Sequence, residues 1–355
     1  MKHPLRAAGP GTERADLLKQ FFPRGVPDLW CPSLTHYTLD GAIDGTRIAA
    51  HLRHLSPSVK GFLIPGSTSD GWELTEKEFW TLLEIALEQA RSLELHLLIG
   101  VLKADAAEAL EQAEKVLEYL KRKSRQTDLL AAMAEARVCG LAVCAPRGHG
   151  VSQEEIERGL VPVLETGAPV ALYQLPQMTL NEIGPELAVT IAERFPNFLL
   201  FKDTSGSDRV VLSGNDLGGV FMMRGAEGDY LRWLKAAGGS YDGFLLSTAN
   251  CLASELSQMI GHARAGDLDE ARKLSEKVTA IMNEVFELVR PVADGNIYAN
   301  ANKAIDHFLA HGRRATEFAA PRLHAGTSLP NAVVQRTGEI LEEYGVRPDL
   351  GYVDR

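Results

Sequence analysis

Short apolar runs alternate along this chain with longer stretches whose apolar positions recur at helical spacing. The runs cover 28–34, 61–65, 95–101, 140–145, 169–174, 198–202, 219–224 and 242–247. Their length and their content of β-branched and aromatic residues predict buried strands. Between them, Ile48, Ala49, Leu52 and Leu55 mark a helix over 44–56. Thr75 with Glu78 forms a capping-box pattern for a helix running to about Arg91. A helix opens near Asp105, and its pattern runs past Lys121 through 128–136. Ser152 with Glu155 opens another, Pro185 starts a helix over 185–195, and Gly238-Gly239 stops one over about 228–237.

Eight strands alternating with amphipathic helices predict an α/β fold, a (β/α)8 TIM barrel over 27–250. A doubly wound open sheet is the alternative, but its GxGxxG turn after a first strand is absent. Beyond the eighth strand the pattern is helical, with candidates at 252–265, 267–290 and 300–311. This predicts a C-terminal helical appendage over 251–330, followed by a helix at about 331–344 and a tail to 355. Residues 1–26 read as a poorly ordered N-terminal arm around a short helix at 13–21, with no chemistry expected there.

At 355 residues the chain fits one large barrel, and 45% hydrophobic with 24% charged residues is ordinary for a soluble protein with a large core. A net charge of −10 argues against a nucleic-acid partner, which needs a basic face. Lys121, Arg122, Lys123 and Arg125 form the one basic cluster, read as a helix end. Cys31, Cys139, Cys144 and Cys251 form no CxxC pair, so they are expected to be buried, reduced thiols. No stretch is apolar and long enough to cross a membrane, and the expected location is cytoplasmic.

In a barrel of this kind the carboxyl ends of the strands open on one face, where active sites form. Ser67 and Thr68, Arg147 and His149, Tyr173, Lys202, Arg224 and Ser247 all stand at such ends. Lys202 closes an apolar run. Read by itself it is either a surface lysine or a partly desolvated amine able to attack a ketone. Its replacement by alanine is expected to spare the fold, as for a strand-end lysine open to solvent. Gly66-Ser67-Thr68-Ser69-Asp70 reads either as an ordinary βα turn or as a carboxylate or phosphate cradle. Arg147 is either a clamp for an anion or a residue of a polar loop, and His149 either a proton donor or a bystander. A metal-dependent barrel aldolase would need a cluster of ligands at the strand ends; only His36 and His149 stand near the mouth, so neither metal nor cofactor is expected.

Three motifs in order carry a family resemblance over roughly 28–325. They are Gly66-Ser67-Thr68-Ser69-Asp70, Leu172-Tyr173-Gln174-Leu175-Pro176 and Phe201-Lys202-Asp203-Thr204-Ser205-Gly206, with weaker matches at 243–250 and at Asn302-Lys303-Ala304. The chain resembles the dihydrodipicolinate synthase/N-acetylneuraminate lyase family of class I aldolases and dehydratases. The resemblance implies that Lys202 forms a Schiff base with a pyruvate-type 2-oxo acid, that Tyr173 moves the proton, and that Ser67 and Thr68 hold the carboxylate. It further implies a pocket including Gly66, Arg147, His149, Arg224 and Ser247, and a homo-oligomer, tetramer or dimer. Aldol cleavage or condensation is the implied reaction. Dehydration of a 2-keto-3-deoxy sugar acid, or a silent 2-oxo-acid-binding barrel, are the other outcomes of the same site. Many members place a tyrosine after the proline ending strand four, where this chain has Pro146-Arg147-Gly148-His149. Ser69-Asp70 replaces the usual Gly-Glu, and Gln174 the usual Asn.

Overall fold

The computed structural model describes residues 10–354; the outer part of the expected N-terminal arm, residues 1–9, lies outside the described residues. Eight parallel strands form a closed barrel in chain order, the TIM barrel expected from the alternation. They are β1 (Leu29–Cys31), β2 (Gly61–Ile64), β3 (His96–Val101), β4 (Val138–Cys144), β5 (Val170–Gln174), β6 (Phe198–Asp203), β7 (Phe221–Arg224) and β8 (Gly243–Leu245). Almost every strand residue is buried, which is why the runs are continuous in apolar residues and do not alternate. All four cysteines are buried thiols outside any disulfide.

Two compact units are distinguishable, one of residues up to Val26 with Val101–Arg224, the other of Pro27–Gly100 with Gly225–Arg355. In the first, β4 to β7 pair side by side, with Cys144 opposite Tyr173, Tyr173 opposite Lys202, and Lys202 opposite Met223. The helix Pro10–Phe21 belongs to this unit, and it is no loose arm: Arg14 is buried. Its guanidinium donates to the carbonyls of Ala192, Phe195, Phe198, Leu217 and Gly218. One side chain thereby satisfies the end of the helix Pro185–Arg194, the start of β6 and the approach to β7.

In the second unit β1 pairs with β2 and β8, and β2 with β3. Gly61 opens β2 because a Cβ there would stand 2.2 Å from the Trp30 ring. The C-terminal helices Ala253–Arg264, Leu268–Val289, Ile297–His311 and Asn331–Glu343 belong to this unit. Ile297–His311 is buried almost all round, so its polar residues must find partners inside the protein. Asp306 takes hydrogen bonds from Arg47 at 2.6 Å and from the Tyr352 hydroxyl at 2.8 Å.

Several elements differ from expectation for local reasons. β1 stops at Cys31, ahead of Pro32, which has no N–H to donate. The long helix expected from Asp105 through 136 is two helices, Ala106–Ser124 and Leu129–Glu135, because Arg125 turns left-handed and Asp128 caps a new start. The helix expected over 228–237 shrinks to Tyr230–Trp233, since Leu234 turns extended and bridges to Tyr241. The helices expected at 13–21 and 300–311 start earlier, at Pro10 and at Ile297, the latter capped by Asn296.

Two outcomes follow for stability. Arg14→Ala removes five hydrogen bonds, three of them buried, and is expected to lower unfolding free energy by about 3 kcal/mol, read by urea titration. For Asp306, burial alone would raise the pKa. The Arg47 charge, with His51 and His36, outweighs it and holds the carboxyl below the usual carboxylate range. A folded-state pKa below the unfolded value of about 3.9 means that Asp306 stabilises the protein above that pH and loses its contribution as the pH falls further. Asp306→Asn is therefore expected to be less stable than the parent at pH 7, with the difference narrowing on acidification below about pH 4.

Candidate active site

The first unit carries the lysine. β5 and β6 place Tyr173 and Lys202 directly opposite each other, and the Lys202 Nζ stands 3.9 Å from the centroid of the Tyr173 ring. A cation over a ring face is favourable, more so when desolvated. Lys202 is 4% exposed and Tyr173 2%. The expectation of a lysine open to solvent is corrected: β6 runs on to Asp203, so Lys202 sits inside the strand and not at its frayed end.

The turn after β6 locks this pair. Thr204 donates from both its backbone N–H and its hydroxyl to the Gln174 carbonyl, tying the ends of β5 and β6 together. Asp203 accepts from the backbone N–H and the hydroxyl of Ser205, which shapes the Ser205-Gly206 turn. Gln174 uses its amide oxygen to take the Ile183 N–H at 2.7 Å, a structural role for the residue that replaces the usual Asn. On the neighbouring strand, burial pushes the Cys144 thiol up to about 12, so it stays protonated and non-nucleophilic at neutral pH.

Arg147 and His149 lie exposed on the loop after β4, their side chains without partners among the described residues. That loop is held by Asn181, whose amide donates to the carbonyls of Pro146 and Gly148, and by the Arg147 N–H on the Ala104 carbonyl. Arg224, at the end of β7, is buried with its Nε 3.2 Å from Asp208. A guanidinium so engaged is a brace of the β6–β7 end as well as a pocket candidate.

The second unit carries the hydroxyl turn. Gly66 leads into a tight turn at Ser67–Ser69, closed by Asp70 in the left-handed region at φ 58°. Ser69 donates to the Ser33 carbonyl and accepts the Gly66 N–H, so this serine is structural. Ser67 accepts from Trp72 Nε1 at 3.1 Å, and the hydroxyl of Thr68, a residue 5% exposed, has no partner among the described residues. Asp70, in place of the usual Glu, accepts from the Tyr37 hydroxyl at 2.9 Å and from Lys303 Nζ at 3.2 Å. Within the Asn302-Lys303-Ala304 motif, Lys303 thus neutralises the acid that ends the turn.

Ser247 follows β8 and donates to Glu227 at 2.6 Å. The same carboxylate takes the N–H and hydroxyl of Thr248 and the hydroxyl of Tyr230. Burial first, and Glu227 next, raise the Tyr230 phenol, which stays protonated and donates. Sequence reasoning missed Glu227, although it stands three residues beyond the end of β7, where the strand-end rule would have found it. It also missed Asp70 as a partner of Tyr37, a pairing 33 residues apart for which no local pattern exists. Among the described residues no group of three or more His, Cys, Asp or Glu side chains is arranged to hold a metal ion. No helix among them is long and apolar enough to cross a membrane.

Comparison with known proteins agrees with these motifs. The model of the dihydrodipicolinate synthetase family matches residues 129–294, a segment that contains both Tyr173 and Lys202. The chain is similar to that family over this segment. A 4-hydroxy-tetrahydrodipicolinate synthase of Methanococcus maripaludis is 22% identical over 263 residues, covering 74% of this chain and 84% of the relative. Among solved structures, YagE, a prophage protein of the dihydrodipicolinic acid synthase family from E. coli K12 in complex with pyruvate, superposes with a TM-score of 0.68. It is 20% identical, over 90% of this chain and 98% of that one. A variant of Sulfolobus solfataricus 2-keto-3-deoxygluconate aldolase in complex with L-2-keto, 3-deoxy-galactonate gives a TM-score of 0.69. It is 19% identical, over 90% and 96% of the two chains. Identities this low accompany the departures at the strand-four loop and at Ser69-Asp70.

The four donors on Glu227 make a sharp test of that cluster. Glu227→Gln turns an amide donor toward hydroxyls that already donate, and is expected to cost about 1–3 kcal/mol of stability, read by chemical denaturation.

Proposed function

We propose that this protein is a class I lyase that forms a Schiff base between Lys202 and a pyruvate-type 2-oxo acid and catalyses aldol cleavage or condensation. The observation that carries the reading is a buried lysine in β6, held against the Tyr173 ring, within the segment that matches the dihydrodipicolinate synthetase family. An amine drawn from water into such a site has its charged form disfavoured by desolvation, which favours the free amine that attack requires.

The Lys202 lone pair adds to the C2 carbonyl to give a carbinolamine, and loss of water gives a protonated imine. In the cleavage direction the C4 hydroxyl loses its proton as the C3–C4 bond breaks. The bond electrons flow into the imine to leave an enamine, and C4 departs as an aldehyde. The enamine takes a proton at C3, and water hydrolyses the resulting imine to free the 2-oxo acid and Lys202. The Tyr173 phenol, beside the lysine, is the group assigned to carry these protons. Ser67 and Thr68, small hydroxyl residues on a turn whose geometry is set by Asp70, are assigned to the substrate carboxylate. Condensation is the same path reversed.

Aldol chemistry is preferred over dehydration by likeness to the 2-keto-3-deoxygluconate aldolase, and a 2-oxo acid by likeness to the pyruvate-bound YagE. Arg147 and His149, unpartnered on the β4 loop, are the residues assigned to the second substrate in place of the missing tyrosine.

Intact mass after borohydride reduction with pyruvate tests the central step. A reduced pyruvate adduct is expected on the parent and none on Lys202→Met, which keeps the volume of the side chain without its amine. Absence of the adduct from the parent, or its persistence on the variant, would remove Lys202 from the mechanism. Tyr173→Phe is expected to retain the fold and to lower turnover of a 2-keto-3-deoxy sugar acid by roughly 10²-fold or more; unchanged turnover would assign the proton to another group.

A further inference from the structure

The second unit holds a cavity of about 540 Å³ that includes none of the residues assigned above to the reaction. Its walls include Tyr37, Leu39, Arg47, Lys303, Phe318 and Arg322. The volume suits a small organic ligand, and the walls divide into two kinds. Leu39 and Phe318, 76% and 39% exposed, are large apolar side chains left partly in water at its edge. Arg47, Lys303 and Arg322 are cations, against the carboxylates Asp44 and Asp306.

The two carboxylates are already spent. Asp306 is taken up by Arg47 Nη2 and the Tyr352 hydroxyl, and Asp44 caps its helix by accepting the Arg47 backbone N–H. Of the cations, Lys303 is engaged by Asp70 and Arg47 by Asp306, but Arg47 and Arg322 keep donors to spare. Arg47 Nη1 is buried and finds no acceptor among the described residues, a donor left short inside the protein. Arg322 gives one hydrogen bond to the Leu39 carbonyl and joins no ion pair among the described residues. The neighbouring imidazoles respond to the same imbalance: burial, and then the Arg47 charge, push His311 down to about 4.

Two of the walls also reach the hydroxyl turn. Tyr37 and Lys303 are the donors to Asp70, which closes Ser67–Ser69, and Lys303 Nζ lies 4.8 Å from the centre of the Tyr37 ring. Asn296, the cap of the helix that carries Lys303, donates to the Ser67 carbonyl. A carboxylate seated in the cavity is a competitor with Asp70 for these two donors.

We propose that this cavity is a binding site for a small aliphatic carboxylate, and that its occupant loosens the Ser67–Thr68 turn by drawing Tyr37 and Lys303 away from Asp70. The head group takes Arg322 and Arg47, with its body against Leu39 and Phe318. Its effect on the enzyme, weaker capture of the 2-oxo acid, rests on the Schiff-base reading above; binding and movement of the turn do not.

The test is calorimetric titration of the full chain with 4-methylpentanoate and, as the uncharged control, 4-methylpentanamide, with Trp72 fluorescence followed in parallel because its indole bonds to Ser67. Saturable binding of the carboxylate and none of the amide is expected, with affinity about tenfold weaker in Arg322→Ala and unchanged in Ser67→Ala. The Trp72 signal is expected to change on saturation, and the change to vanish in Trp72→Phe. No binding of 4-methylpentanoate overturns the site, as does equal binding of the amide. Binding lost in Ser67→Ala but kept in Arg322→Ala would mean that the carboxylate occupies the substrate turn. Binding without a Trp72 response overturns the coupling. With pyruvate, the concentration giving half-maximal borohydride trapping is expected to rise at least threefold at saturating 4-methylpentanoate, and an unchanged value overturns the enzymatic effect. If pyruvate gives no adduct at all, the catalytic reading fails while titration and fluorescence still decide the cavity.

Discussion

An amine removed from water must be held by something else, and in this protein that constraint falls on Lys202. Its Nζ lies 3.9 Å from the centre of the Tyr173 ring, whose face offsets part of the lost hydration. The arrangement depends on register: β5 and β6 pair so that these two residues are directly opposite, and a slip by one residue would turn one of them to the other face of the sheet. Thr204 fixes the register from above by bonding twice to the Gln174 carbonyl. Arg14 anchors the other end of β6, where its guanidinium gathers carbonyls around the strand's start. The lysine is thus placed by contacts at both ends of its strand.

Elsewhere the fold depends on carboxylates that arrange their surroundings. Asp208 holds Arg224, Glu227 gathers Ser247, Thr248 and Tyr230, Asp70 joins Tyr37 to Lys303, and Asp306 gathers Arg47 and Tyr352. Each is buried or half-buried, so each needs its donors to offset the loss of water. This accounts for departures from the family pattern that looked like erosion. Asp70 in place of Glu is fully engaged, and Gln174 in place of Asn bonds the backbone of Ile183. Arg147 and His149 are different, since neither side chain has a partner among the described residues. They are the departures that leave side chains available to a ligand.

Most of the barrel was legible along the chain because a strand buried on both faces must be apolar throughout, and because helix starts are local events. Thr75 with Glu78 and Ser152 with Glu155 form the capping boxes their spacing announced, and Pro185 sits in the first turn of its helix. Errors fell where a single residue leaves the helical region. Arg125 in the left-handed conformation divides one amphipathic pattern into two helices, and Leu234 abandons a helix to bridge with Tyr241. Arg14 was invisible, because one arginine in an otherwise ordinary N-terminal helix carries no periodicity and its five acceptors lie more than 170 residues away.

What the sequence by itself determined is the number and order of strands, the strand end near which each polar residue stands, and the family that its motifs resemble. These are set by interactions within a few residues, or by the two-residue and 3.6-residue periods that burial imposes. Only the tertiary structure decided that Lys202 is buried and not solvent-facing, that Arg224 is held by Asp208, that Ser247 has a carboxylate partner, and that Lys303 serves Asp70. Each of those depends on which groups meet across the fold, and a charged side chain takes the partner that replaces its lost water wherever the chain brings one within reach.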